Sequence, residues 1–575
     1  MPIVNNHWRF HAFFGLLTFL GAVEAVDFAS CLADVQAGNW GTVGGTDSTG
    51  QPASPISTAT GVTYELCVRA CGSGAEPFVW NIFSQQFTSW LLPYLALIAQ
   101  LPFGADDKLD NVVAVLLSVG SPTLAVYSLA ITTLNGHWIA RRFSRFSYPN
   151  VRSAVQILSR LQQTPIEVIN GSLLASLVVL PENDKWWSQL VGKLDYTHTW
   201  SISSVASIIW VATAFLFTVI DSFTVTINSS ILNANGQGVG SVYLWLLPVV
   251  IGWLQLGPKC HSGRLHQAVG RVNAEAYIAS DRGPIPADDS EGTPDRAIFL
   301  LQRVDSVRRD EQRSPPIYNY ARFLPWVQAV EKVSLVFEQA SQRAERYESV
   351  DPAIPWGREK GGKVRPENRR GTLAQVEAYV NPPRAVPRSY WGPEVLSRFL
   401  VSSFLALALT WSTTGAAVIV VWFTPTVGLG CRSGAYILYG VVSILVWMML
   451  VTSSALAHYS TQSFDGHGEP VRTSARVAGN LSIILRRLGK VLATCNAVWI
   501  VVACILQFSS FFDRCYCNSS VFGLGHLAYD VITIVPADIA TMKGAWGGAV
   551  ALTCVSSMLF VGWVNIFVDP PLPTE

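Results

Sequence analysis

Cysteine is the residue type in this chain whose positions point most directly to chemistry. Six of the ten cysteines lie in polar stretches between apolar blocks: Cys31, Cys67, Cys71, Cys431, Cys515 and Cys517. In an oxidising compartment, cysteines placed in this way form disulfides rather than metal sites. Six thiols allow three bonds, and their spacing leaves the pairing open. Cys515 and Cys517 are too close for an easy mutual bond, so we expect these bonds to fasten the amino-terminal segment to the outer loops.

Two histidine-containing groups have residue types that could bind a metal ion or transfer protons. One is Cys260, His261 and His266, and the other is His458 with the string Asp465–Glu469. A metal site needs further ligands in a defined geometry, so we interpret both groups as polar turns. The sequence has no HExxH, GxSxG or GxxxxGK[ST] string. We therefore predict a protein that is not an enzyme, without catalytic, cofactor-binding or metal-binding residues.

Arginine is concentrated between residues 135 and 165, a stretch without an acidic residue. The five arginines are Arg141, Arg142, Arg145, Arg152 and Arg160. Aromatic residues stand among these arginines. Short basic segments of membrane proteins remain on the cytosolic side. We interpret this segment as an anchor on the anionic surface of the lipid bilayer. A specific site for a lipid headgroup is the alternative.

Apolar blocks of about 20 residues flank these polar segments, which is the length of a helix that crosses a bilayer. Half of the residues are hydrophobic and 14% are charged, against about 25% in soluble proteins. About half of the charged residues fall in the single stretch 257–394. The composition predicts an all-α polytopic membrane protein with two membrane halves, 86–256 and 395–567, joined by a large cytosolic loop. The formal net charge of +1 predicts no nucleic-acid partner.

We expect about seven transmembrane helices from seven to eight apolar segments. The clearest are about 201–220, 241–255, 397–424, 434–457, 491–511 and 544–567. Two further segments, 87–103 and 111–134, precede the basic stretch, and only one can cross if that stretch is to face the cytosol. We favour a full crossing by 111–134. In the alternative, 87–103 crosses, and 111–134 enters the membrane and returns at Gly120-Ser121-Pro122. A break of this kind must be buried in protein or face water.

The two ends of the chain predict its compartment. Residues 1–25 resemble a secretory signal peptide, with an uncleaved first anchor as the alternative. Residues 26–85 would then form a lumenal or extracellular segment that contains cysteines, and residues 568–575 a cytosolic tail. Asn228 and Asn518 stand in N-glycosylation triplets that this topology places outside. We expect a multi-pass glycoprotein of the secretory pathway, at the plasma membrane.

The central loop 257–394 combines helical patterns with loop-like composition. Residues 295–313 and 322–349 show helical patterning. Residues 281–294 and 351–371 are rich in proline, glycine and charge, which is typical of mobile, disordered chain. The loop is either a solvated connector or a platform that binds cytosolic protein partners, and its sequence favours neither.

One run in the first membrane half resembles a group of known sequences. The run is FSQQFTSWLLPYLALIAQLPFGADDKLDNVVAVLLSVGSPTLAVYSLAIT, followed by the arginine-rich WIARRFSRFSYPN. It is similar to a group of uncharacterised multi-pass membrane proteins of filamentous fungi. The resemblance implies a polytopic fungal membrane protein. That group has no known activity, so the resemblance implies no site residues.

The predicted spans contain no Asp, Glu, Lys, Arg or His away from their ends. Ionisable groups at membrane depth usually mark ion paths and proton relays. Their absence argues against a proton-coupled pump, a voltage sensor and an intramembrane aspartyl protease. We predict a non-enzymatic, receptor-like or scaffold protein whose cytosolic loop binds partners. The alternative is a facilitator or channel for a neutral or lipidic solute, which requires a polar cavity lined for instance by Ser121, Asn496 and Gln100.

Overall fold

A computed structural model of the chain describes ten stretches of it. They are residues 25–104, 107–169, 171–195, 200–224, 227–289, 296–301, 306–358, 364–381, 390–461 and 473–573. The predicted signal peptide (apart from Ala25) and the string Asp465–Glu469 lie outside the described residues. About 70% of the described residues are helical, with almost no sheet.

Helices follow one another along the first half of the chain. They are α1 (Phe28–Gln36), α2 (Tyr64–Ala70), α3 (Trp80–Gln86), α4 (Leu92–Ile98), α5 (Lys108–Gly120), α6 (Pro122–Phe143), α7 (Val151–Arg160), α8 (Ser172–Val179), α9 (Asp184–Lys193), α10 (Ile202–Thr224), α11 (Ile227–Tyr243), α12 (Leu246–Leu256) and α13 (Ser262–Asn273). A π-helix, Phe87–Leu91, joins α3 to α4, so one helix runs unbroken from Trp80 to Ile98.

The second half contains the longest helices, and short strands occur in both halves. The helices are α14 (Asn319–Glu345), α15 (Leu373–Val380), α16 (Val395–Trp422), α17 (Cys431–Thr461), α18 (Thr473–Phe508), α19 (Cys515–Asn518), α20 (Val521–Leu524) and α21 (Pro536–Phe567). The strands are β1 (Gly45–Thr46), β2 (Gly61–Thr63), β3 (Ile166–Val168), β4 (Tyr277–Ile278), β5 (Ile285–Pro286), β6 (Ile298–Leu300) and β7 (Tyr529–Val531). All pairings are antiparallel, in the orders β1-β2-β7, β3-β6 and β4-β5.

Six of the described helices are long and apolar enough to cross a membrane. They are Ile202–Thr224, Ala234–Leu256, Val395–Trp422, Cys431–Thr461, Thr473–Phe508 and Pro536–Phe567. The bent pair α5–α6 would be a seventh if it were one span. These helices fit the predicted class of an all-α polytopic membrane protein.

The candidate spans pack into a bundle with a protected centre. Residues 234–256 are the most enclosed, with 72% of their most apolar part buried, against 22% for α10 and for α21. α10 and α21 therefore stand at the periphery, where apolar side chains such as Phe217 and Met558 are exposed. Apolar surface of this kind is suited to contact with lipid acyl chains.

The chain turns by 103° between α5 and α6. Ser121 leaves the helical conformation with φ −143° and ψ 82°, and its Oγ accepts the Leu124 N–H to begin α6. Pro122 occupies the first helical position, where a missing N–H costs nothing. Residues 111–134 are therefore not one straight helix, because the Gly-Ser-Pro sequence breaks the helix at its middle, and both a broken full crossing and a re-entrant pair fit this bend.

Both far ends of this bent pair contact the same part of the chain. Asp110, in the first turn of α5, forms an ion pair with Arg313. Arg141, in the last turn of α6, forms one with Glu394. Residues 111–134 thus form a V whose two arms start and finish beside the region 257–394.

The region 257–394 is packed against the bundle over its described residues. With residues 144–195 it forms what we call the basal domain. Its central helix, α14, contacts α6 and α17 of the bundle, and its buried Trp326 donates from Nε1 to the Leu158 carbonyl at 2.9 Å. Strands β3 and β6 pair across the two parts of the domain. The predicted helix at 322–349 is present as α14.

One expectation for this region differs from the structure. The described part of 295–313 is not one helix but β6 and a 3-10 helix, Ser306–Gln312, because Ile298 and Leu300 alternate into the core as strand residues do. The stretch 351–371, expected to be mobile, contains the buried Arg369, which binds Asp184 at 2.7 Å.

A cysteine-rich cap stands at the opposite end of the bundle. It consists of residues 26–79 and 509–535, joined because β2 pairs with β7. Val35, Val62 and Leu66 are buried in its small core. The amino-terminal segment has too few apolar residues to fold alone, so the second segment completes it.

Candidate functional site

Two disulfides lie within the cysteine-rich cap, and a third joins the cap to the start of α17. The pairs are Cys31–Cys71, Cys67–Cys515 and Cys431–Cys517. These are the six cysteines chosen from the sequence, and Cys515 and Cys517 bond to different partners. The sulfur atoms of Cys67, Cys71 and Cys515 lie within 4.8 Å of one another, but disulfide sulfurs have no thiolate to offer a metal ion.

Cleavage of the backbone can isolate the Cys67–Cys515 bond. A protease site inserted between residues 382 and 389 leaves Cys67 on one fragment and Cys515 on the other. We expect the fragments to migrate together on a non-reducing denaturing gel, and Cys67→Ser to separate them. Cys431→Ser is the matched control, because its bond lies within the second fragment and its loss should leave the fragments joined. Separation by the control variant would show a different pairing.

A carboxyl group with an unusual pKa is buried in the cap. Asp530 of β7 is 2% exposed. Burial raises the pKa of Asp530 most, and the negative charges of Asp513 and Glu76 raise it further. The Arg432 guanidinium lowers it, and the resulting pKa is about 7. Burial also raises the pKa of Glu76, and Arg432 forms an ion pair with Asp513. The cap therefore holds a carboxyl that titrates near neutral pH.

This carboxyl predicts a cap that is less stable at pH 8 than at pH 5. The folded-state pKa of about 7 lies above the ordinary value of 3.8, so protonation favours the folded state. The stabilisation from the protonated carboxyl is complete below the ordinary pKa of 3.8 and is lost as the pH rises through about 7. The protection factors of the β2 amides, which are corrected for the intrinsic rise of exchange with pH, should fall over this range in the purified protein. Asp530→Asn should remove the change, whereas Asp34→Asn, on the exposed face of α1, should retain it.

Hydrogen bonds at the centre of the bundle fix the tip of the bent pair α5–α6. Asn496 of α18 donates from Nδ2 to the Gly120 carbonyl at 2.8 Å and to the Tyr439 carbonyl at 3.1 Å. Tyr439 in turn donates its hydroxyl to the Val119 carbonyl at 2.7 Å. The orphaned carbonyls at the end of α5 are thereby satisfied by α17 and α18.

The residues named for a transport cavity form hydrogen bonds with other protein groups. Ser121 and Asn496 are buried, and Ser121 donates to the Ser443 carbonyl at 2.8 Å. Gln100 is elsewhere, where it accepts a hydrogen bond from the Ser204 hydroxyl at 2.8 Å. The facilitator therefore stays a prediction that these contacts do not test.

Buried ionic contacts fasten the basal domain to the bundle. Asp310, which is 2% exposed, accepts a hydrogen bond from Lys490 Nζ of α18 at 2.5 Å. Arg486 Nε, one turn away on the same helix, lies 3.9 Å from that carboxylate. The Arg486 guanidinium also donates to the carbonyls of residues 306 and 307 at 2.6 Å each. One carboxylate thus binds both cations of α18 that face the basal domain at this point.

The predicted basic segment contacts protein over much of its surface. Three of its five arginines have acidic partners: Arg141 with Glu394, Arg142 with Glu338 and Arg160 with Asp195. The aromatic residues among them are buried: Trp138, Phe143, Phe146 and Tyr148. Buried rings cannot enter a lipid surface, so the expected anchor would depend on the exposed arginines Arg141, Arg145 and Arg152.

A cavity of about 530 Å³ lies between the basic segment and the bundle. Its basal wall carries Arg160, Asp195 and Lys259. Its bundle wall consists of residues 254–256, at the end of α12, and residues after α21, including Val568. Hydroxyl and amide side chains also line it: Thr132, Thr133, Gln156, Ser159, Gln162 and Gln163. The predicted tail 568–575 therefore forms part of a wall over its described residues.

Other predicted sites lie within folded structure. Asn518 is at the end of α19, and its Oδ1 accepts a hydrogen bond from Arg432 at 3.2 Å. Asn228 lies in the first turn of α11. Cys260 is buried, and burial raises the pKa of its thiol to about 12, which opposes the thiolate form that binds metals. His266 Nδ1 lies 2.9 Å from a carbonyl of its own helix.

No protein-family model matches this chain, and no curated protein or solved structure matches it. Function is therefore argued from the contacts of the chain itself. Sequence reasoning missed the Asp310 contacts and the cavity. Their residues come from distant segments, and the only signal they share is a polar residue beside an apolar block.

Proposed function

We propose that the protein is a non-enzymatic, receptor-like or scaffold component of a membrane, with a basal domain that binds cytosolic protein partners. The observation that carries this proposal is the docking of the basal domain on the bundle through α14 and Asp310. A domain packed in this way keeps a fixed orientation to the membrane, which a platform for other proteins requires. We also propose that the chain belongs to the fungal group that its first membrane half resembles.

We propose seven crossings for this protein. The unbroken helix Trp80–Ile98 is about 28 Å long, close to the roughly 30 Å of a bilayer core. It leads from the cysteine-rich cap to the loop before α5, and the pair α5–α6 then enters the membrane and returns. Six further spans follow. This topology places the cap outside, beyond a cleaved signal peptide in the secretory pathway, and the basal domain in the cytosol.

An exposed patch on the basal domain supports a role in protein binding. Tyr347 is 63% exposed, and its ring lies 6.3 Å from that of Trp356. The Arg358 guanidinium lies 5.5 Å from the Tyr347 ring centroid. Tyrosine, tryptophan and arginine dominate the energetic centres of protein interfaces, so this patch is where we expect a partner to bind.

The test is proximity labelling by the full chain with a labelling enzyme fused to its carboxyl terminus. We expect the double variant Tyr347→Ala/Arg358→Ala to lose a defined set of labelled proteins. Arg152→Gln, another exposed change in the basal domain, should retain that set. A labelled set that none of these changes alters would contradict the proposal. Glycerol uptake by vesicles that contain the protein, above that of empty vesicles, would instead favour the facilitator.

A further inference from the structure

The cavity beside the basal domain lies where two candidate spans end. α12 ends at Leu256, and α21 ends at Phe567, one residue before the lining residue Val568. The wall at these helix ends is mostly apolar, but it also carries Gln255 and Asp569, and the facing wall is polar. Such a site fits an amphiphile whose acyl chains lie along the bundle and whose head enters the cavity.

Two cations stand on the polar wall. Arg160 is held in place, because it binds Asp195 at 2.8 Å and donates to the Val191 carbonyl at 3.0 Å. Lys259 is buried, and burial followed by the positive charge of Arg160 lowers its pKa. Asp195 pairs with Arg160 and also favours the charged form of Lys259, so the two cations share one carboxylate on this wall. Basic pockets at the cytosolic ends of spans bind phosphate-bearing headgroups.

Two hydrogen-bond acceptors complete the site. Gln162, which is 6% exposed, and the half-buried Gln255 both line the cavity. Within the described part of the chain, neither amide oxygen has a hydrogen-bond partner. Buried polar atoms are rarely left unpaired, so these oxygens are suited to N–H or O–H donors of a ligand. The carboxylates of Asp195 and Asp569 also line the cavity, and they favour a donor that is positively charged.

We propose that this cavity binds a phospholipid headgroup that carries an ammonium group. Arg160 and Lys259 contact its phosphate, and Gln162 and Gln255 accept from its ammonium N–H groups. Phosphatidylethanolamine has both parts. Phosphatidylcholine has the same phosphate but no N–H donor, and inorganic phosphate has neither the ammonium nor the acyl chains. This site is additional to the protein-binding patch, and neither proposal depends on the other.

The experiment titrates the purified full chain in detergent with dihexanoyl-phosphatidylethanolamine and follows the shift of its unfolding temperature. We expect dihexanoyl-phosphatidylcholine to bind on the order of tenfold more weakly, since it leaves the amide oxygens unpaired. Glycerophosphoethanolamine, which lacks acyl chains, and inorganic phosphate should produce little shift. Equal binding of the two lipids would overturn the ammonium assignment. If glycerophosphoethanolamine binds as tightly as dihexanoyl-phosphatidylethanolamine, the assignment to a lipid would be overturned.

Variants locate the binding in this cavity. Lys259→Gln should weaken both lipids on the order of tenfold, and Gln162→Leu should abolish the preference for the ethanolamine headgroup. Lys185→Gln, an exposed change on α9 of the basal domain and outside the cavity, should change neither. The unfolding temperature without lipid reports whether each variant is folded. If Gln162→Leu does not fold, Lys259→Gln still tests whether the lipid binds in this cavity. Lipid binding that is insensitive to Lys259→Gln would overturn the proposal.

Discussion

Gly120→Ala is expected to disrupt the centre of the bundle. A Cβ at this position would lie 1.9 Å from the Ala493 carbonyl oxygen, well inside the contact distance of two atoms. The obstacle is backbone of α18, which cannot rotate aside as a side chain does. We expect a loss of about 3 kcal/mol in the free energy of unfolding, the upper end of the usual cost of overpacking a core. The unfolding temperature of the purified protein in detergent measures it.

Gly415→Ala in α16 is the matched control for this prediction. A Cβ added there meets nothing within 4 Å, and alanine is favoured over glycine in a helix by about 1 kcal/mol. The control should therefore leave the unfolding temperature unchanged or raise it. If both variants unfold at the same temperature as the parent, α5 does not approach α18 as closely as described.

The bent pair α5–α6 also shows how far the sequence could predict this fold. Gly120-Ser121-Pro122 marks the break because proline begins helices and the preceding residue avoids helical geometry. The direction of the second arm depends on the pairing of Asp110 with Arg313 and of Arg141 with Glu394. Those partners are roughly 200 residues away or more, so the sequence left open whether the segment crosses.

The same division applies to the rest of the chain. The long apolar helices were predicted because hydrophobicity is a local property. The six disulfide cysteines were predicted because they lie in polar stretches. The pairing of Cys67 with Cys515, 448 positions apart, is set by the fold. The basal domain was expected to be partly mobile because its composition is polar. Its order comes from specific contacts such as that of Arg369 with Asp184, which composition does not report.

Asp310→Ala is expected to release the basal domain from α18. The side chains of Lys490 and Arg486 are 24% and 9% exposed, so the change leaves two largely buried cations without their carboxylate. Removing one partner of a buried ion pair costs about 3–5 kcal/mol, and the partial exposure of Lys490 places the expected loss near the lower value. Hydrogen exchange of the 3-10 helix Ser306–Gln312 should accelerate, while the amides of the cysteine-rich cap should exchange as before.

A second change separates the unpaired charge from the lost contact. In Asp310→Ala/Lys490→Met the uncompensated ammonium is gone, so the double variant should be less destabilised than the two single losses added together. Glu338→Ala is the control, because its carboxylate is 38% exposed and 3.9 Å from Arg142, and exposed pairs contribute about 0–1 kcal/mol. Unchanged exchange at Ser306–Gln312 in Asp310→Ala would mean that α14 alone holds the domain. The ionic contacts would then orient the domain without stabilising its attachment.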